Sequence, residues 1–123
     1  MADEKDLRIL SVSFSHGSVH DFRLFCRSRV YFSKDVLLIA DKGYIGIDKI
    51  HSNSLVPKKS TKKHKLTKED KKYNSIISRR RIYIEHVNRH IKRFRIVSIR
   101  YRNKRRKFAL RFLLICTIYN FEL

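Results

Sequence analysis

Along residues 73–94, apolar side chains recur at Tyr73, Ile77, Ile84, Val87, Ile91 and Phe94, at spacings of 4, 7, 3, 4 and 3. That is the period of one helical face, so the segment is expected to form a long helix with a single apolar stripe and Ile76 beside it. Thr67-Lys68-Glu69-Asp70 opens it in the form of a capping box, with acids in the first turn. Burying the six stripe residues contributes roughly 1.5–3 kcal/mol each before entropy is subtracted. The other faces carry charge of one sign. Between Lys71 and Arg111, sixteen lysines and arginines stand against one acid, Glu85.

The net charge of +19 is unevenly spread. Residues 1–56 hold eight Lys/Arg against seven Asp/Glu, whereas residues 57–123 hold twenty-two against four. Such asymmetry points to a polyanionic partner for the second half. Nucleic acid is favoured over an anionic membrane, because most charged segments lack a sharply segregated apolar face. The longest apolar run, near residues 112–118, is too short to span a bilayer. The N-terminus is polar and mixed in charge, unlike a signal peptide. No membrane partner and a cytoplasmic location are expected. Cys26 and Cys116 lie far apart without ligand spacing and read as buried free thiols.

At 123 residues the chain allows one domain or part of one. Residues 7–14 alternate apolar and polar as a strand does. Residues 15–18 then form a turn in which Gly17 could take positive φ, and Ser18 is a plausible N-cap for a helix through Phe22, Leu24 and Phe25. Residues 36–40 are continuously apolar and suit a strand buried on both faces. Residues 41–43 turn the chain, residues 44–51 suggest a short helix, and residues 55–57 a brief strand ended by Pro57. Residues 58–65 are a lysine-rich linker, expected to be the least ordered part. Residues 96–99 suggest a short strand. Residues 108–119 suggest a final helix, apolar nearly all round and therefore buried. The order describes an α/β fold, a small sheet flanked by helices.

Two acids stand out. Asp41 ends the apolar run 36–40 and opens Asp41-Lys42-Gly43-Tyr44, and Glu85 stands alone in the basic helix. Further signals are Gly17-Ser18-Val19-His20-Asp21, Pro57-Lys58-Lys59, Arg79-Arg80-Arg81 ahead of Glu85-His86, Phe94-Arg95-Ile96 and Tyr101-Arg102-Asn103. This ordered set resembles the C-terminal half of bacterial insertion-sequence transposases with an Asp-Asp-Glu catalytic domain. The similarity runs from about Leu7 to the end.

The resemblance implies an incomplete ribonuclease-H-like fold, residues 1–123 being one partial catalytic domain. It maps the second catalytic aspartate to Asp41 and the glutamate to Glu85. The first aspartate would lie on a strand upstream of the Gly17 turn. Asp3 and Asp6 have neither the apolar run nor the position for it, and Asp21 belongs to the Gly-x-x-His-Asp motif. The first sheet strands and the N-terminal DNA-binding region of the family are not expected in this chain. The implied activity is metal-dependent DNA strand cleavage and transfer, with the chain inactive alone. The implied partners are DNA (element ends and target) and either a complementing N-terminal fragment or a second copy of the chain. The implied location is the bacterial nucleoid.

Phosphodiester chemistry of this kind uses two divalent ions about 3.5–4 Å apart, held by carboxylate oxygens. Asp41 and Glu85 alone are expected to hold at best one Mg²⁺ (or Mn²⁺), weakly. Phosphate contacts are expected from Lys58, Lys59, Lys62, Lys63, Arg79, Arg80, Arg81, Arg89, Lys92, Arg93, Arg95, Arg102 and Arg105. A non-enzymatic, basic nucleic-acid-binding protein is the alternative. Each feature has a plainer reading: a turn or cap for Asp41, an ion pair with Arg81 or Arg89 for Glu85, and a solvated face for the charge runs. His86 and His90 have the helical spacing of a zinc pair, but no third ligand follows in a recognisable place.

Overall fold

The computed structural model describes residues 1–98 and 107–123. The described elements, in chain order, are helix α1 (Asp21–Ser28), strand β1 (Leu38–Ile39), 3₁₀ turns at Lys42–Tyr44 and Ile47–Lys49, and strand β2 (Ser54–Leu55). Helices α2 (Lys68–Lys92), α3 (Arg95–Ser98) and α4 (Phe108–Glu122) follow. The chain divides into two compact units, Ser15–Arg81 and Met1–Phe14 with Ile82–Leu123. The architecture is mixed but mostly helical, with less sheet than the sequence suggests.

In the unit Ser15–Arg81, β1 and β2 pair in parallel, Leu38 opposite Ser54 and Ile39 opposite Leu55. Leu38 N–H donates to the Asn53 carbonyl and Ala40 N–H to the Leu55 carbonyl, each at 2.9 Å. The strand expected over 36–40 shrinks to two residues, and Val36 and Leu37 are exposed. Parallel strands are stabilised by cover on both faces, and two strands offer little of it. The loops entering the sheet are tied by polar bonds instead. Asn53 Nδ2 donates to the Asp35 carbonyl at 3.2 Å, and His51 Nε2 lies 2.6 Å from the Val36 carbonyl.

Helix α1 starts later than Ser18 would start it. Its N-cap is His20, with no side-chain capping bond. The turn before it closes through a Val19 N–H to His16 carbonyl bond at 3.0 Å, and positive φ falls at Gly46 (101°) rather than at Gly17. The helix expected over 44–51 is instead the two 3₁₀ turns, with Gly46 between them. Ile47 and Ile77 are the buried hydrophobic residues of this unit, at 2% and 1% exposure.

The capping box at the start of α2 forms with Asp70 as its acid. Asp70 N–H donates to Thr67 Oγ1 and Thr67 N–H donates to Asp70 Oδ2, both at 3.1 Å. Two otherwise unsatisfied donors are thus met reciprocally. The lysine-rich stretch is anchored at its first residue, not free. Lys58 N–H donates to Asn74 Oδ1 at 2.8 Å, Asn74 Nδ2 donates to the Lys58 carbonyl at 3.0 Å, and Lys58 Nζ pairs with Asp70 Oδ1 at 2.6 Å.

In the other unit, Val87 and Ile91 of α2 form a core with Ile115, Cys116 and Tyr119 of α4. Leu7, Ile9, Val12, Ile84, Val97 and Phe112 pack around it. The strand expected over 7–14 is reduced to one antiparallel bridge, Ala2 with Ile9. The segment folds back on itself, with Asp3 N–H bonded to the Arg8 carbonyl and Leu10 N–H to the Met1 carbonyl, each at 2.9 Å. Leu7 sits at φ 58°, which closes that hairpin. The remaining face of Ile9 is met by an amide side chain rather than by a strand. Ile9 N–H donates to Asn120 Oδ1 at 2.8 Å, and Asn120 Nδ2 donates to the Ile9 carbonyl at 2.9 Å.

Three further expectations are corrected. Arg95–Ser98 is helical, so no strand begins at Ile96, and Ile99 lies outside the described residues. Phe94 falls beyond the end of α2 and is 39% exposed. Cys26 is exposed, while Cys116 is buried as expected.

Candidate active site and nucleic-acid interface

Asp41 stands where the sequence puts it, just after β1. It caps the 3₁₀ turn Lys42–Tyr44, its Oδ1 accepting from Lys42 N–H at 2.5 Å. The same oxygen meets Arg81 Nη1 at 3.2 Å. The turn reading and the site reading of Asp41 are therefore compatible, since the cap aims a carboxylate that keeps half its surface exposed.

The loop that carries Asp41 is fixed by α1. Phe22 lies against Gly46, where a Cβ would come within 3.6 Å of its ring. Phe25 and Tyr44 meet edge to face at 6.2 Å between centroids. Asp21 Oδ2 would lie 3.9 Å from a Cβ at Gly43. The Gly-x-x-His-Asp and Asp-x-Gly-Tyr segments, twenty residues apart in sequence, thus adjoin. Burial, reinforced by the negative charges of Asp21 and Asp41, pushes the Tyr44 phenol above its ordinary range.

Glu85 lies on α2, exposed, and makes no ion pair or hydrogen bond among the described residues. The pairing with Arg81 or Arg89 that the helical spacing suggested is not formed. Arg81 is engaged with Asp41. Glu85, Arg89 and Lys92 follow one another at spacings of four and three, which places them on one face of α2. Arg79, Arg93 and Arg95 are also exposed, and Arg80 and Arg81 are half-buried.

Among the expected phosphate ligands, Lys58 pairs with Asp70 and Arg81 with Asp41. Lys58 also lies over the Tyr73 ring, 5.7 Å from its centroid. Its ammonium is held above the usual lysine range chiefly by the Asp70 hydrogen bond. Lys59, Lys62 and Lys63 are exposed. Arg102 and Arg105 lie outside the described residues, as does Tyr101. Neither the Arg81–Asp41 pair nor the Lys58–Asp70 pair was legible in advance. Forty and twelve residues separate the partners, and no periodicity links them.

The residues do not by themselves fit a two-metal centre. No group of three or more His, Cys, Asp or Glu converges among the described residues, and Asp41 Oδ1 is already engaged by Arg81 and Lys42. His90 packs on Tyr119 at 5.9 Å between ring centroids, a packing contact rather than metal ligation. No described helix is long and apolar enough to cross a membrane.

Residues 3–120 match the family described as DDE superfamily endonuclease. The chain is 51% identical over 120 residues to the probable transposase for insertion sequence element IS702 of Microchaete diplosiphon. That alignment covers 98% of this chain and 44% of the relative, so the chain spans less than half the relative's length. No solved structure matches it.

Proposed function

Since this chain belongs to the DDE superfamily endonucleases, we propose that it acts in DNA transposition as the C-terminal part of a ribonuclease-H-like catalytic domain. Asp41 and Glu85 are its second and third catalytic acids. The observation that carries this reading is the state of Asp41. It closes β1, its orientation is set by the cap on Lys42, and an arginine of the basic helix faces it. An acid held this way beside a DNA backbone would be a ligand for a divalent ion, Mg²⁺ or Mn²⁺, which supplies charge neutralisation at the scissile phosphate. Glu85 is the other acid this reading assigns, and no group of three or more His, Cys, Asp or Glu that could hold a metal ion occurs among the described residues. The 123 residues alone are therefore inactive, and activity requires an acid from a further polypeptide segment.

Arg79, Arg89, Lys92, Arg93 and Arg95 bind the phosphates of element-end and target DNA, together with Lys59, Lys62 and Lys63. Their role is positional and independent of base sequence. Arg81 sits four residues before Glu85 in the sequence and holds the Asp41 carboxylate, the group that would be a ligand for the divalent ion.

The test is magnesium-dependent nicking of insertion-element-end DNA by the purified chain. No nicking is expected. Robust nicking that Glu85→Ala abolishes would overturn the claim that an acid must come from elsewhere. A non-enzymatic DNA- or RNA-coating protein is the second reading, favoured by the lack of a three-donor cluster among the described residues. It predicts that Glu85→Ala leaves nucleic-acid binding unchanged or tighter with and without Mg²⁺. The catalytic reading predicts that Mg²⁺ tightens binding through Glu85.

A further inference from the structure

Helix α4 has two apolar faces, and one of them is exposed among the described residues. Phe112, Ile115, Cys116 and Tyr119 belong to the core around Val87 and Ile91. On the other side stand Leu110, Leu113, Leu114, Ile118 and Phe121, with exposures of 67, 46, 59, 38 and 91%. Their spacings of 3, 1, 4 and 3 make one continuous helical stripe. Thr117 lies within it, but its hydroxyl donates to the Leu113 carbonyl at 3.0 Å and makes little demand on solvent. No charged residue occurs from Phe112 to Phe121. A helix apolar on every side is normally enclosed, and a contiguous exposed stripe of this kind marks an interaction surface.

We propose that this face of α4 docks the remainder of the transposase polypeptide, the part that corresponds to the relative's sequence outside the aligned region. The inference rests on the transposase reading above and names its protein partner. Two observations select the occupant. More than half of the relative lies outside the alignment, although the alignment takes in almost all of this chain. A second copy of the chain is a poor occupant, because each carries twenty-two cations against four acids over residues 57–123. Joining two such halves would be opposed by their charge. Nucleic acid does not suit the stripe either, since phosphates require the cations it lacks.

The experiment co-expresses the full 123-residue chain with the portion of the IS702-element relative outside the aligned region, and measures recovery of the complex and its affinity. A one-to-one complex is expected. Leu110→Glu with Leu114→Glu is expected to weaken it roughly tenfold or more, with helicity and DNA affinity unchanged. Leu113→Gln with Phe121→Ser, a milder pair on the same stripe, guards against a folding artefact and is expected to weaken it in the same direction. Failure to form a complex, or a complex indifferent to both pairs, overturns the proposal. So does a homodimer of the chain that the Glu pair dissociates. DNA affinity of the chain alone is scored in parallel. Retained DNA binding without capture defeats this inference only, whereas capture without DNA binding defeats the DNA reading only.

Discussion

Helices α2 and α4 both send a few side chains into the same core and leave most of their surface outside, yet their outsides are opposites. Beyond Val87 and Ile91, α2 presents Glu85, Arg89 and Lys92. Beyond Ile115 and Tyr119, α4 presents Leu110, Leu114 and Phe121. An exposed arginine is content in water and better content on a phosphate. An exposed leucine is content in neither. The two helices teach that exposure alone says little, and that the chemistry of what is exposed points to the partner.

The largest effect expected is on α2's charge. With six phosphate contacts, DNA affinity falls about 10³-fold between about 50 and 200 mM salt. Replacing Arg79, Arg89, Lys92 and Arg93 with Gln should flatten the log–log salt slope by about one unit per residue, read by fluorescence anisotropy. An unaltered slope would break the contrast, making the basic face merely solvated.

The buried faces come next. Ile77→Ala, at 1% exposure, should cost about 2–5 kcal/mol in denaturant unfolding. Leu114→Ala, at 59% exposure, should stay within about 0.5 kcal/mol in the chain alone. Equal losses would mean that α4's outer face is already covered. Asn120→Ala should cost about 1–3 kcal/mol, because the Ile9 N–H and carbonyl lose both partners.

The smallest effects lie at the start of α2. Thr67→Ala removes one half of the capping box and should cost about 1 kcal/mol. Hydrogen bonds from Lys58 and Thr67 hold the Asp70 carboxyl below its ordinary range. A depressed folded-state value means that the contribution is present above the unfolded carboxylate range and is lost as pH falls through the folded value. Protection of the first-turn amides of α2, taken relative to the intrinsic exchange rate at each pH, should therefore fall in acid, beginning near pH 4, while protection around Val87 is retained. Acid fraying that starts at Val87 instead would contradict the assignment.

What was legible in the sequence was local. Thr67 and Asp70 are three residues apart, and the α2 stripe repeats within a turn or two, so spacing alone places them. Asp41 after an apolar run was legible for the same reason. Residues 7–14 alternate as a strand does, but a strand also needs a neighbour of matching length. Among the described residues its partners are residues 1–3 and the Asn120 amide, and the alternation is spent on packing against the core. Helix α4 was legible as a helix, whereas its enclosure was not, because enclosure belongs to whatever lies alongside. The hold of Arg81 on Asp41 bridges forty residues, and nothing in either neighbourhood announces it.

The two hydrogen bonds between Ile9 and Asn120 fasten the beginning of the sequence to its last helical turn. A stop codon anywhere before Asn120 would unlatch the N-terminal hairpin without touching it. A dye at one terminus would then report on damage at the other, which makes end-to-end energy transfer a direct gauge of whether this small knot of chain has been tied.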